Sequence, residues 1–253
     1  RVGNLCFVNL FGTMTVNADG ILLCENELSV KGDLYLEDTE ATVLGDFTLQ
    51  SSGLLDIDQS SIYFNKAYTG TPMIFDGTTN LPNGLIQVTH EDAVFGSTSI
   101  FNGTGGSFKL GRGLASNSGG TFQPSGGAIE MIGGDMGTIS LAGGNYCREL
   151  IINKSPNTID VKLQDSLIVK DILTITSGDL YTQSHKLILE DDLLIEPNGK
   201  LGPQSGIVEI YGDWTNNRGS FGFNEATSEV VFAGMTSYIY TDETFNKLTV
   251  NKQ

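Results

Sequence analysis

Two stretches of this chain, about a hundred residues apart, carry nearly the same pattern. One runs from Phe122 to Lys154 and the other from Phe221 to Lys252, with an offset of 99 residues at the start and 98 at the end. Glu130 answers Glu229 and Gly134 lies near the position of Gly234. Leu150-Ile151-Ile152-Asn153-Lys154 answers Leu248-Thr249-Val250-Asn251-Lys252. A chain that repeats itself buries its apolar surface by stacking like on like, which points to an extended scaffold rather than one closed core around one pocket.

A finer echo runs through the rest of the chain. Leu28 to Leu36 resembles Leu167 to Ile175, and Gly45 to Gly53 resembles Asp191 to Gly199. Gly212-Asp213-Trp214-Thr215 varies the Gly45-Asp46-Phe47-Thr48 start. Gly32 to Gly45 and Gly178 to Asp191 are both steps of 13, read as one short strand plus a turn. Apolar residues fall two apart in Leu34-Tyr35-Leu36, Phe47-Thr48-Leu49, Leu167-Ile168-Val169 and Leu187-Ile188-Leu189. That period buries one side of a strand and wets the other. Gly-Asp, Asn-Gly and Gly-Gly pairs separate the runs and supply turns. The chain has 32 glycines in 253 residues, roughly twice the usual 7%, without a collagen period.

Short strands at regular spacing predict an all-β fold. The preferred form is a right-handed parallel β-helix (β-solenoid), with tandem β-sandwich domains as the alternative. The step of 13 favours stacked coils, and Asn-Gly pairs between clean strands are few (Asn83-Gly84, Asn198-Gly199). At roughly 20–25 residues per coil the chain makes about ten coils, about 50 Å at the ~4.8 Å spacing of paired strands. The reading is one continuous solenoid over residues 1–253, with an irregular, loop-rich middle over 69–120 where ligand contacts would sit.

The net charge of −16 excludes a nucleic-acid binder, since no basic stripe is present to neutralise phosphates. It fits solubility of a large surface, with Ca²⁺ the one cation such a chain would take. No apolar run reaches the ~20 residues of a membrane-spanning helix. Cys6, Cys24 and Cys147 match no zinc or redox spacing. They read as buried thiols, with a Cys6–Cys24 pair on neighbouring coils as the alternative. Both ends stop within strand-like text, so the expectation is a piece of a longer protein.

Leu248 to Lys252, Gly212 to Phe221 and Glu229 to Gly234 resemble the β-solenoid repeats of large secreted bacterial surface proteins. This is the adhesin-like class common in gliding and type IX-secreting bacteria. The resemblance is best from Thr121 to Gln253 and fair from Leu28 to Asp58. It implies extracellular display, a structural or adhesive role as a stiff stalk, neighbouring repeats of the same chain as partners, and contact with surface polysaccharide or other cells. It brings no catalytic residues and no cofactor.

Chemistry was sought directly. Paired carboxylates for glycoside cleavage could come from Asp56 with Asp58, Asp191 with Asp192, or Glu91 with Asp92. Each pair reads more simply as the wet side of a strand or a turn, and Thr89-His90-Glu91-Asp92 as a solvated strand end. Arg112, a glycine on each side, is alone in the middle stretch. The polygalacturonase signatures other than Asp-Asp are absent, so the reading is not an enzyme; a carbohydrate-active β-helix enzyme is the runner-up and a glycan-binding module the third. Asn102 and Asn153 fit the N-glycosylation pattern. The remaining candidates are ligand-facing aromatics, Tyr238, Tyr240 and Trp214, with the competing reading that Trp214 fills the same inward slot as Phe47.

Overall fold

Alternation becomes structure in the simplest way: along each strand one residue is buried and the next is not. Leu34 and Leu36 are buried with Tyr35 between them, and Phe47 and Leu49 with Thr48 between them. A computed structural model describes residues 7–18 and 20–251, with side chains from residue 11. The fold is an all-β parallel solenoid of about 11 turns. Among the described residues the only helical turn is Gly219–Phe221. Backbone contacts divide the chain into two units, residues 1–128 and 129–253.

In the first unit each coil carries three strands. One face stacks Phe7–Leu10, Glu27–Val30, Phe47–Leu49, Met73–Phe75, Ala93–Phe95 and Gly113–Ser116 in parallel. The next stacks Thr13–Val16, Asp33–Glu37, Leu54–Asp58, Thr78–Leu81, Ile100–Gly103 and Thr121–Phe122. The third stacks Ile21–Cys24, Glu40–Val43, Ser61–Phe64, Leu85–Val88 and Ser107–Leu110. Leu28 faces Phe47, 19 residues on, and Met73 faces Ala93, 20 residues on. The step from Thr48 to Ile74 is 26, because residues 65–72 leave the coil before the next strand. The stretch expected to be loop-rich over 69–120 is therefore regular. Most of its glycines lie at corners, Gly103 and Gly113 lie in strands, and Gly70 belongs to the one long excursion, at its front edge.

The interior of this unit is aromatic. Phe47, Phe64, Phe75, Phe95, Phe108, Phe101 and Phe122 are all buried. Their rings run in contact from coil to coil, from Phe47–Phe64 at 4.6 Å to Phe101–Phe122 at 4.6 Å. Each such pair adds about 0.5–1.5 kcal/mol beyond burial alone. At the corners the chain passes so close to the coil before it that a side chain has no room. A Cβ on Gly45 would lie 0.9 Å from the Asn26 carbonyl oxygen, and one on Gly111 1.7 Å from that of Thr89. The Gly-Asp starts legible in the sequence are these close approaches.

The second unit also has three strands per coil. One face stacks Ala128–Gly133 (from Ile129 on), Glu149–Lys154, the first part of Leu173–Tyr181, the first part of Leu193–Gly202 and Trp214–Asn216. Ile239 bridges onto Trp214 beyond them. A second face stacks Gly137–Leu141, Asp160–Leu163 and the later parts of the two long strands. The third stacks Leu167–Val169, Lys186–Leu189, Ile207–Ile210, Glu229–Phe232 and Lys247–Val250.

Two sequence readings shift here. The step of 13 spans two strands, not one: Asp33–Glu37 and Glu40–Val43 both lie between Gly32 and Gly45. The two copies of the long repeat also sit on different faces. Leu150 pairs through Leu173, Leu193 and Trp214, whereas Leu248 pairs with Val230 on the third face, so the copies are four coils and two further strands apart. Cys24 and Cys147 are buried, and the Cys24 thiol donates to the Glu27 carbonyl at 3.3 Å. Cys6, and with it the Cys6–Cys24 pairing, lies outside the described residues.

Candidate functional site

The excursion of residues 65–72 builds a polar cluster around two buried charged residues, Lys66 and Glu91. It leaves the solenoid at the corner where Asp46, Glu91 and Arg112 also sit, Asp46 on the coil before, Glu91 on the coil after and Arg112 one coil further. Glu91 was expected on a solvated edge; instead it is buried. Its Oε1 accepts the Thr69 backbone N–H, the Thr69 hydroxyl at 2.9 Å and the Gly70 N–H at 3.2 Å. Lys66, nearly buried, pairs with Asp46 and lies 3.8 Å from Glu91. Its ammonium also donates to the Thr71 carbonyl at 3.5 Å. Arg112 lays its guanidinium 4.1 Å from the Tyr68 ring centre and 3.9 Å from Asp92.

A hollow of about 450 Å³ runs past this cluster, lined by Glu25, Glu27, Asp46, Lys66 and Thr69 among others. Its one cation is already held by acids, and Glu91 Oε1 accepts three hydrogen bonds from the loop it anchors. The cluster is a clasp for the excursion.

The other carboxylate pairs are engaged in the same fashion. Asp56 accepts from Asn80 at 2.8 Å and Asp58 from Asn83 at 3.1 Å, both one coil on. Asn80 in turn accepts from Asn102 at 2.9 Å, so the Asn102 amide belongs to a three-coil ladder. In the second unit, Asp192 Oδ1 accepts the Asp213 N–H at 2.7 Å, and Asp213 Oδ1 accepts the Tyr238 N–H at 2.9 Å. Burial first, then the charges of Asp192, Asp171 and Asp213, push the Asp191 carboxyl above its ordinary value. Asn153 donates to Glu130 at 2.8 Å. Among the described residues, no group of three or more His, Cys, Asp or Glu side chains is placed to hold a metal ion.

The expected ligand-facing aromatics divide. Trp214 is 0% exposed, a correction to its outward reading. Its strand register stacks it inward on Leu193, and Phe223, Phe232 and Phe245 close around it with ring centres 4.9, 6.4 and 5.5 Å away. Its indole N–H donates to Glu243 at 3.0 Å, which meets the need of a buried Trp for a partner. Tyr238 and Tyr240 are 58% and 63% exposed, with ring centres 6.0 Å apart. The Tyr240 hydroxyl donates to Asp213 Oδ2 at 3.1 Å. One carboxylate thus holds both residues. Beside them opens a hollow of about 580 Å³ lined by Gly219, Ser220, Ile239, Tyr240, Thr241 and Asp242.

Sequence reasoning missed Lys66, Tyr68 and Asp213. The signal for the first two was the surplus length before Pro72, which marks a segment that needs its own anchors. The signal for Asp213 was its place in a Gly-Asp corner. No protein-family model, no curated protein and no solved structure matches this chain.

Proposed function

We propose that this chain is a non-catalytic, load-bearing segment of a secreted cell-surface protein, a stiff spacer or adhesive stalk of the adhesin-like class. One observation carries the reading: outward polar side chains are spent on the neighbouring coil. In the first unit these bonds include Gln50 to Ser29, Thr89 to Asn65, and the Asn102–Asn80–Asp56 ladder. In the second they include Lys170 with Glu190, Lys186 with Glu209, and Lys247 and Thr249 with Glu229. A surface committed to itself stiffens the coil stack and leaves few groups for chemistry. Nearest-neighbour coupling of this kind makes each coil rest on the next.

Pulling the chain by its ends in a force microscope tests this. Coils of about 20 residues should release in steps of roughly 70 Å, at ~3.5 Å per extended residue. Featureless extension at low force would count against a load-bearing role. Turnover of any member of a panel of neutral and acidic polysaccharides would move the reading to the enzyme class.

A further inference from the structure

The described surface has one place where large rings, fixed in position, stand beside a polar hollow. Tyr238 and Tyr240 flank Ile239, whose backbone pairs with Trp214. Their backbone is pinned on both sides: Tyr238 N–H to Asp213, its carbonyl to the Trp214 N–H at 2.8 Å, and Tyr240 N–H to the Trp214 carbonyl at 3.0 Å. With the Tyr240 hydroxyl also bound to Asp213, its ring is oriented before any ligand arrives. Preorganised rings cost little to order on binding.

We propose that this patch binds a neutral saccharide chain. Two exposed rings 6.0 Å apart, tilted by 35°, offer flat apolar area to the C–H faces of sugar units. The adjoining hollow is lined by Asp242 and Ser220, whose carboxylate and hydroxyl are the kinds of group sugar hydroxyls seek. Charge selects the class. Asp213 and Asp242 border the rings, Asp191 and Asp192 lie on the adjacent corner, and the chain carries −16 overall, so acidic polysaccharides are repelled. Apolar ring faces beside hydrogen-bonding groups are the general composition of small-molecule sites.

The test is affinity electrophoresis of the full 253-residue chain through gels containing a soluble β-glucan, xyloglucan, galactomannan or polygalacturonate. The expected result is retardation by at least one neutral polymer and none by polygalacturonate. Tyr238→Ala with Tyr240→Ala should weaken that binding at least tenfold, about 1.4 kcal/mol. Tyr240→Phe, which keeps the ring face, should stay within about threefold. A second readout needs no substitution: the retarding polymer should protect Tyr238 and Tyr240 from nitration, read by peptide mass mapping. Absence of retardation by every neutral polymer overturns the proposal. So does unchanged binding in the double variant, or a patch found by light scattering to be covered by a second copy of the chain.

Discussion

Replacing Glu91 with Ala should open the excursion of residues 65–72 while most of the coils around it stay folded. Glu91 holds two backbone N–H groups and one hydroxyl of the excursion and stands 3.8 Å from the Lys66 ammonium. Hydrogen bonds to a charged acceptor are worth about 1.5–3 kcal/mol each, but donors on an opened loop find water again, so the three do not add. Breaking a buried ion pair costs about 3–5 kcal/mol. Lys66 keeps Asp46, whose side chain is 53% exposed against 2% for Glu91, so the lysine is left partly compensated. The expected cost is about 3 kcal/mol for Glu91→Ala. For Asp46→Ala it is below about 1 kcal/mol, the range of a solvated pair. Glu91→Gln should fall between, since an amide oxygen still accepts from the Thr69 and Gly70 N–H groups. Native-state trypsin digestion reports the opening directly, because Lys66 is the cleavage site; urea titration gives the free energy. Cleavage after Lys66 should accelerate by about two orders of magnitude in Glu91→Ala, at 1.4 kcal/mol per tenfold, ahead of any global transition. Equal effects of the two alanine variants, or an Asp46→Ala cost above that of Glu91→Ala, would refute the assignment of Glu91 as the clasp.

Thr79 stacks inward between Leu55 and Phe101, and its hydroxyl is buried without a partner; Thr79→Val should stabilise by about 1 kcal/mol and raise the melting temperature by about 2–4 °C in calorimetry. Trp214→Ala should cost about 3–5 kcal/mol in denaturant titration, since it empties a ring-lined site and strips the Glu243 carboxylate of its indole donor. Burial raises the Glu243 carboxyl above its ordinary 4.5, outweighing the Asn216 and Trp214 hydrogen bonds that lower it. The folded chain therefore binds this proton more tightly than the unfolded chain, and the ionised group destabilises as pH rises from 4.5 through the folded value. Glu243→Gln should flatten that part of the melting-temperature profile. Burial pushes the Cys147 thiol up to about 12, so a maleimide should label it only as fast as the coil opens, and urea should speed labelling.

The solenoid was legible because its two periods are both written in side chains. Leu34-Tyr35-Leu36 shows the alternation, and Gly45 and Gly111 show where a corner touches the coil before it. The inward place of Trp214 was also readable from its match to Phe47, but alternation alone cannot decide a face where aromatics lie on both sides of Ile239. The clasp was not legible. Lys66 and Glu91 are 25 positions apart and meet only because an enlarged coil sets them on one corner. In a chain where most acids are wet, nothing local distinguishes Glu91 from Asp92. The ladder partners Asp56, Asn80 and Asn102 were similarly hidden, because their spacing follows coil lengths that vary from step to step.

The closing strands of the two copies of the long repeat, lying on different faces of the second unit, bear on how such a gene can change. If whole coils were the exchangeable units, a duplication would have to span a multiple of about twenty codons to be harmless. Leu150 instead aligns with Leu173 and Leu248 with Val230, equivalent strand positions reached after a fractional number of turns. A strand with its corner is then the smallest piece whose copying keeps the inward register. Length in such a protein is free to drift by thirds of a coil, and drift of that kind erases the very periodicity by which relatives would be recognised.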